Sequence, residues 1–306
     1  MVDKPHGPTS HDVVARVRKA LGTRAVGHAG TLDPMATGVL VVAVGEGTKL
    51  VRWLTADDKT YRATVALGVE TDTLDAQGAP AERAEVPALD AARVRGVAAG
   101  FVGAQRQRPP AFSAIKVDGQ ALHERARRGE AVEAPERDVT VRRLQILDVS
   151  LDGDAPRIEL EVEASKGFYV RSLGRDLARA LGTRGHLSAL RRLRSGPFAS
   201  SEAVRGETLD AAADGDEAAR RALRAALLPL ADACRGMPAV RLSERGVEDA
   251  GHGRPVRPQD AVGLDELAEG AEPVAMLGPG GALVAVGRRE RGQLRVMRGV
   301  RAGAPR

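Results

Sequence analysis

Between residues 11 and 21, apolar side chains recur at Val13, Val14, Val17 and Leu21. That spacing puts them on one face of a helix, with Thr9 or Ser10 placed to cap it. A glycine-rich loop over 22–38 follows, then an unbroken apolar run over 39–44 of the length of a buried strand. Residues 60–69 (TYRATVALGV) alternate as a strand does, and 71–78 (TDTLDAQG) is polar turn chemistry. The pattern predicts a helix over 89–101, a proline-closed loop over 108–111, and strands over 139–151 and 157–164 joined by an Asp-Gly-Asp turn. A helix over 170–181 carries Leu173, Leu177 and Leu181 on one face and Arg171, Arg175 and Arg179 on the other. Another helix is expected over 217–228. Beyond 236 the character changes to short strand-like pieces (VRL, PVAML, ALVAVG, LRVM) between Gly and Pro turns, as in a small β-barrel. A chain of 306 residues fits one large domain plus a small appendage. The boundary is placed at 236, giving domains 1–236 and 237–306.

Composition narrows the class. Hydrophobic residues make up 43% of the chain, enough for a sizeable core. The longest apolar run is too short to span a membrane, and the first residues lack the apolar stretch of a signal peptide, which leads to the expectation of a cytoplasmic protein. A single cysteine, Cys234, allows no disulfide and no cysteine-based metal site within one chain. Phosphate-loop, dinucleotide and H-E-x-x-H patterns are all missing, so no cofactor and no metal are expected. The formal charge of +5 is compatible with a polyanionic partner without requiring one.

Local chemistry sharpens that. From 171 to 194 there are seven arginines and one acidic residue, Asp176. A solvated face usually mixes signs, and like charges at four-residue spacing repel, whereas phosphates opposite such a stripe would be neutralised with release of counterions. Tyrosine is scarce: only Tyr61 and Tyr169 occur, each just ahead of an arginine. Each can be a core residue with a satisfied hydroxyl or a platform for a nucleic-acid base, worth roughly 1–3 kcal/mol per stacked base. Leu32-Asp33-Pro34 in a glycine-rich loop is a turn signal, yet it can equally present a carboxylate where glycines permit close approach of a ligand. Ser113-Ala114-Ile115-Lys116 matches the S-x-x-K of penicillin-recognising acyl enzymes, but the S-D-N and K-T-G partners of that chemistry are missing.

Taken in order, the segments resemble the TruB family of tRNA pseudouridine-55 synthases. They are Val2-Asp3-Lys4-Pro5 with Thr9-Ser10-His11-Asp12, the run GHAGTLDPMATGVL from Gly27, Asp58-Lys59-Thr60-Tyr61-Arg62 and TDTLDAQG from Thr71. RPPAFSAIK from Arg108, SKGFYVR from Ser165, and His186-Leu187 through Leu190-Arg191-Arg192-Leu193-Arg194 complete the series. The resemblance covers nearly all of 1–198 and absorbs the S-x-x-K match as an ordinary family feature. It implies an α+β pseudouridine synthase fold, with a central mixed, mainly antiparallel sheet flanked by helices and a small C-terminal PUA-like RNA-binding barrel.

The resemblance also implies roles. Asp33 would be the nucleophile toward a flipped uridine of the tRNA T loop, paired with Arg171, whose charge would hold it anionic. Tyr61 would stack on the target base and, in the mechanism proposed for the family, take a proton from the sugar. Tyr169 and Leu190 would line the uracil pocket, and His28 would help hold the flipped arrangement. Lys4, Lys116, Lys166, Arg175, Arg179, Arg191 and Arg192 are the expected RNA-contacting cations. The partner implied is tRNA, with no membrane, no obligate protein partner and monomeric action. Two rival readings are a guide-RNA-dependent relative acting on ribosomal RNA and a non-catalytic tRNA-binding or tRNA-folding module. Relatives usually have more residues ahead of Val2-Asp3-Lys4-Pro5, so an earlier start is an expectation. Phe112 stands where a tyrosine is common and Phe168 where a threonine is common.

Overall fold

The computed structural model describes residues 1–113, 116, 117, 120, 121, 125, 128, 134–151, 153 and 155–301. Among them, nine strands form the main sheet: β1 (Val2–Lys4), β2 (Thr37–Leu40), β3 (Lys59–Leu67), β4 (Gly103–Gln107), β5 (Arg137–Ser150), β6 (Arg157–Ala164), β7 (Gly185–Ser195), β8 (Phe198–Ala199) and β9 (Val204–Arg205). Their order is β9-β1-β2-β7-β3-β6-β5-β4, with β8 pairing on β7. Only β1 with β9 and β2 with β7 run parallel, so the sheet is mixed and mainly antiparallel. That agrees with the expected fold class.

Helices α1 (Ser10–Leu21), α2 (Ala91–Ala99), α3 (Val170–Ala180), α4 (Gly206–Asp214) and α5 (Glu217–Ala225) flank the sheet. Val13, Val14 and Val17 of α1 and Leu173 and Leu177 of α3 enter one core with Ala63, Val65, Ile158, Leu160 and Leu187 of the central strands. Burying each valine, leucine or isoleucine among them stabilises by about 1.5–3 kcal/mol. Thr9 caps α1: its hydroxyl accepts from the Asp12 amide while the Asp12 carboxylate accepts from the Thr9 amide. Ser10, the other candidate cap, is thereby free to serve elsewhere.

Three local expectations change. The run over 39–44 is divided: β2 lies in the main sheet, while Val42–Val44 pairs with Val26–His28 inside the loop read as irregular. The hydrophobic pattern predicts no element over β7, the neighbour of β3, nor over β4 and α4. The C-terminal segment is not purely short strands. Strands β10 (Ala239–Leu242), β11 (Ala261–Val262), β12 (Val274–Leu277), β13 (Leu283–Glu290) and β14 (Gln293–Gly299) form a second sheet in the order β11-β10-β12-β13-β14. Helix α6 (Glu244–Gly251) packs among them, capped by the Ser243 hydroxyl. A backbone bridge joins Val256 to Leu294 of β14.

The second sheet has its own core around Val240, Leu242, Val256, Val274 and Leu294. It also shares a cluster with the first module, in which Leu283, Val286 and Val300 meet Leu50, Trp53, Phe198 and Ala29. Among the described residues, no helix is long and apolar enough to cross a membrane.

Candidate active site

The loop that carries Asp33 is held at each carbonyl from Gly30 to Pro34. Arg192 donates to the carbonyls of Thr31 (3.3 Å) and Gly30 (3.1 Å). Ser10 clasps Leu32 at both main-chain groups: its hydroxyl donates to the carbonyl at 3.1 Å and accepts from the amide at 2.8 Å. The Asp33 carbonyl accepts from the Ala36 amide, and the Pro34 carbonyl accepts from the Gly7 amide (2.9 Å) and the Lys4 ammonium (3.1 Å). A loop so bound has little freedom, which suits a side chain that must be aimed.

That side chain meets Arg171 in a two-point ion pair. Arg171 Nε stands 2.9 Å from Asp33 Oδ2, and Nη2 donates to Oδ1 at 3.2 Å. Arg171 lies in the first turn of α3 and is 5% exposed. Its remaining donors reach the carbonyls of Thr73 (2.9 Å) and Phe112 (3.0 Å), and Nη1 lies 3.6 Å from Asp75 Oδ2. A buried guanidinium needs this full set of partners.

Asp75 is itself buried, its Oδ1 accepting from the Thr73 hydroxyl (2.7 Å) and the Gln77 amide (3.0 Å). One arginine thus bridges two carboxylates. Only Asp33 keeps open surface, a third of its side chain. Burial raises the Asp33 carboxyl above its ordinary value, Arg171 pulls it down, and Asp75 adds to the rise. The expectation that Arg171 would set the direction is therefore corrected: desolvation outweighs it.

Tyr169 immediately precedes α3. Buried Gln107, the last residue of β4, clamps its main chain, accepting from the amide at 2.8 Å and donating to the carbonyl at 3.1 Å. The Tyr169 ring lies under Arg137 at 5.8 Å, its hydroxyl hydrogen-bonds Ser113, and burial raises its pKa.

Tyr61 sits half-buried on β3 opposite Val162 and Arg192 and packs against the main core. Two residues on, Ala63 faces Leu190 across the β3–β7 ladder. Alternation therefore puts Tyr61, Ala63 and Val65 on one face of the sheet. Leu190 is buried in the same cluster. His28 stands edge-on to His11, ring centroids 5.4 Å apart, and its pKa is lowered by burial, by His11 and by Arg192.

The cations expected to contact RNA divide sharply. Lys4 is fully buried, its ammonium on the carbonyls of Pro5 (2.9 Å), Pro8 (2.7 Å) and Pro34, and desolvation lowers its pKa to about 8. Arg192 is likewise buried, its Nε donating to the Val39 carbonyl at 2.7 Å. Both are corrections: neither offers surface to a phosphate, and both brace the loop instead.

Arg175 pairs with Asp176, Arg179 with Glu70 and Arg191 with Asp3, at 2.7, 2.8 and 2.7 Å. Each of these arginines thus has a carboxylate partner, Arg175 its own neighbour in α3 and Arg179 and Arg191 acids from distant parts of the chain. Lys166 is exposed in the turn just before Tyr169. Lys116 lies in a short strand pair with 120–121, and its side chain is outside the described residues, as are 114 and 115 of the Ser-x-x-K segment. Asp75, Gln107 and Ser10 were not singled out from sequence as site residues, although Asp75 and Ser10 stand inside quoted motifs.

A family model described as TruB family pseudouridylate synthase (N terminal domain) matches residues 18–170, and one for the tRNA pseudouridylate synthase B C-terminal domain matches 171–234. The chain is 42% identical over 283 residues to tRNA pseudouridine synthase B of Syntrophotalea carbinolica, covering 92% of this chain and 89% of that protein. It is 43% identical over 291 residues to the protein of the same name from Thermobifida fusca, covering 94% and 92%. Among solved structures it is similar to an H/ACA RNP bound to a substrate RNA containing 2'-deoxyuridine. That match has a TM-score of 0.73 and 25% identity, over 98% of this chain and 84% of the other. An archaeal box H/ACA sRNP Nop10–Cbf5 complex matches with a TM-score of 0.70 and 25% identity, over 97% and 84%. Fold and family models together define a pseudouridylate synthase, an RNA isomerase. The chain belongs to the TruB family of these enzymes.

Proposed function

We propose that the enzyme converts the uridine at position 55 in the T loop of tRNA to pseudouridine, with Asp33 as nucleophile. The observation that carries this reading is the Asp33–Arg171–Asp75 arrangement: a braced loop, a two-point guanidinium contact and one carboxylate that keeps open surface. The uridine leaves its stack at a cost of a few kcal/mol, which stacking on Tyr61 and phosphate contacts offset. The N1–C1′ bond breaks, the uracil turns, and C5 bonds to C1′. N1 gains a proton and C5 loses one, so the product is an isomer of the substrate. Asp33 forms and then releases the covalent bond to the nucleoside, at C6 or C1′, and Arg171 keeps its carboxylate aligned. Tyr169 and Leu190 line the uracil pocket, His28 steadies the flipped nucleotide, and the exposed Lys166 meets phosphate.

The chain from 237 to 306 serves in this reading as a PUA-like RNA-binding module, a division supported by the separate second sheet and core. The enzyme acts as a cytoplasmic monomer without a guide RNA. Relatives at more than two-fifths identity bear the name tRNA pseudouridine synthase B, which favours tRNA over the guide-dependent reading suggested by the H/ACA structures. Incubation with unmodified tRNA transcript, followed by mapping of pseudouridine, tests this. Conversion at the T-loop uridine with no guide is expected; conversion elsewhere, or only with a guide, contradicts it.

A further inference from the structure

Arg192 is among the largest fully buried side chains of the protein, at 1% exposure. Among the described residues no carboxylate stands within ion-pair distance of it. A buried cation without a counter-ion is costly, and here the compensation comes from three carbonyls: Val39 of β2 and Gly30 and Thr31 of the catalytic loop. These span two separate pieces of chain, a reach that suits the planar fork of a guanidinium better than the point charge of an ammonium.

The arginine's own backbone is held just as closely. Strand β2 passes β7 so near that a Cβ on Gly38 would lie 2.2 Å from the Arg192 carbonyl oxygen, and Gly38 has φ +103°. Gly30 has φ +102°, and a Cβ there would lie 3.6 Å from Arg192 Nη1. Main chain and guanidinium thus fit against two glycines, one on the strand after the loop and one at its start.

We propose that Arg192 is a positioning residue for pseudouridine formation: its guanidinium holds the Gly30–Thr31 backbone, and through it the aim of the Asp33 carboxylate, without touching RNA. The proposal rests on Asp33 as the nucleophile. The Gly30 carbonyl that Arg192 holds is only three residues ahead of Asp33, and the loop is pinned again at Leu32 and Pro34. A shift of the Gly30 carbonyl would therefore reach the carboxylate with little slack to absorb it. Misplacing a reacting group by about 1 Å costs on the order of a hundredfold in rate.

The test compares Arg192→Met, Arg192→Lys and Asp33→Asn with the wild type in three measurements: single-turnover conversion of tRNA, tRNA affinity, and titration of the His28 ring protons by NMR. With folding checked by circular dichroism, Arg192→Met is expected to lose about a hundredfold in the single-turnover rate while binding tRNA nearly as well as the wild type. The His28 pKa should rise in this variant, because a cation that lowers it is gone. Arg192→Lys keeps the charge but not the fork and should fall between the two. If only the lysine variant folds, its rate decides: a wild-type rate overturns the proposal. Weakened tRNA binding with an unchanged rate in Arg192→Met would make Arg192 an RNA contact and overturn it too. Full activity of Asp33→Asn would sink the nucleophile reading beneath the proposal, whereas a normal Arg192→Met rate alongside an inactive Asp33→Asn sinks the clamp alone.

Discussion

Arg171 touches both carboxylates of the site, Asp33 at 2.9 Å and Asp75 at 3.6 Å, and is itself 5% exposed. This one guanidinium ties the first turn of α3 to the loop that carries Asp33 and to the 71–78 turn. Breaking a buried pair by removing one partner typically costs about 3–5 kcal/mol. Arg171→Met is expected to lose stability on that scale in denaturant unfolding, together with nearly all turnover. Unchanged stability would mean the contact is not formed in solution.

The raised Asp33 pKa has a kinetic signature. In the proposed mechanism Asp33 works as the anion, so the rate should fall as pH drops through a value above the ordinary 3.8. Asp75 raises that pKa, and Asp75→Asn should therefore move the acid limb of the single-turnover profile to lower pH. An acid limb at the ordinary carboxylate position in the wild type, or a limb unmoved in the variant, would contradict the assignment.

Much of the frame was readable from residues alone. Helix α1, the strand Arg157–Ala164 and helix α3 follow from periodicity within a residue or so. Strand β7 was not readable for a physical reason: bulges between Leu187 and Ala189 and between Arg192 and Arg194 break its two-residue alternation. The carboxylate partners of the arginine stripe were not readable, because periodicity along one helix says nothing of what is brought opposite it. Asp33, Glu70, Asp75 and Glu82 arrive from far upstream to pair with Arg171, Arg179 and Arg184. Lys4 and Arg192 misled, since a cation that binds carbonyls is indistinguishable in sequence from one that binds phosphate.

RNA contact should thus fall to cations that lack such partners. Lys166 is exposed beside Tyr169, whereas Arg191 is engaged by Asp3 through two nitrogens, at 3.0 and 2.7 Å. Lys166→Ala should reduce the slope of log affinity against log salt by about one, with a smaller change for Arg191→Ala. An unaltered slope in Lys166→Ala would remove it from the interface.

Gly38 offers a backbone test of the β2–β7 contact. Gly38→Ala puts a Cβ against the Arg192 backbone at a positive φ, a strain of order 1–3 kcal/mol even before the clash is relieved. A lowered melting temperature with reduced turnover is expected. Wild-type behaviour would show that the two strands do not approach this closely.

The most direct measurement of the central claim is the yield of pseudouridine from unmodified tRNA incubated with Asp33→Asn, read beside the variant's tRNA affinity. Asparagine keeps the size of the side chain and removes the charge and the nucleophile. Retained tRNA binding with no pseudouridine is the predicted result; substantial turnover by Asp33→Asn would contradict the account.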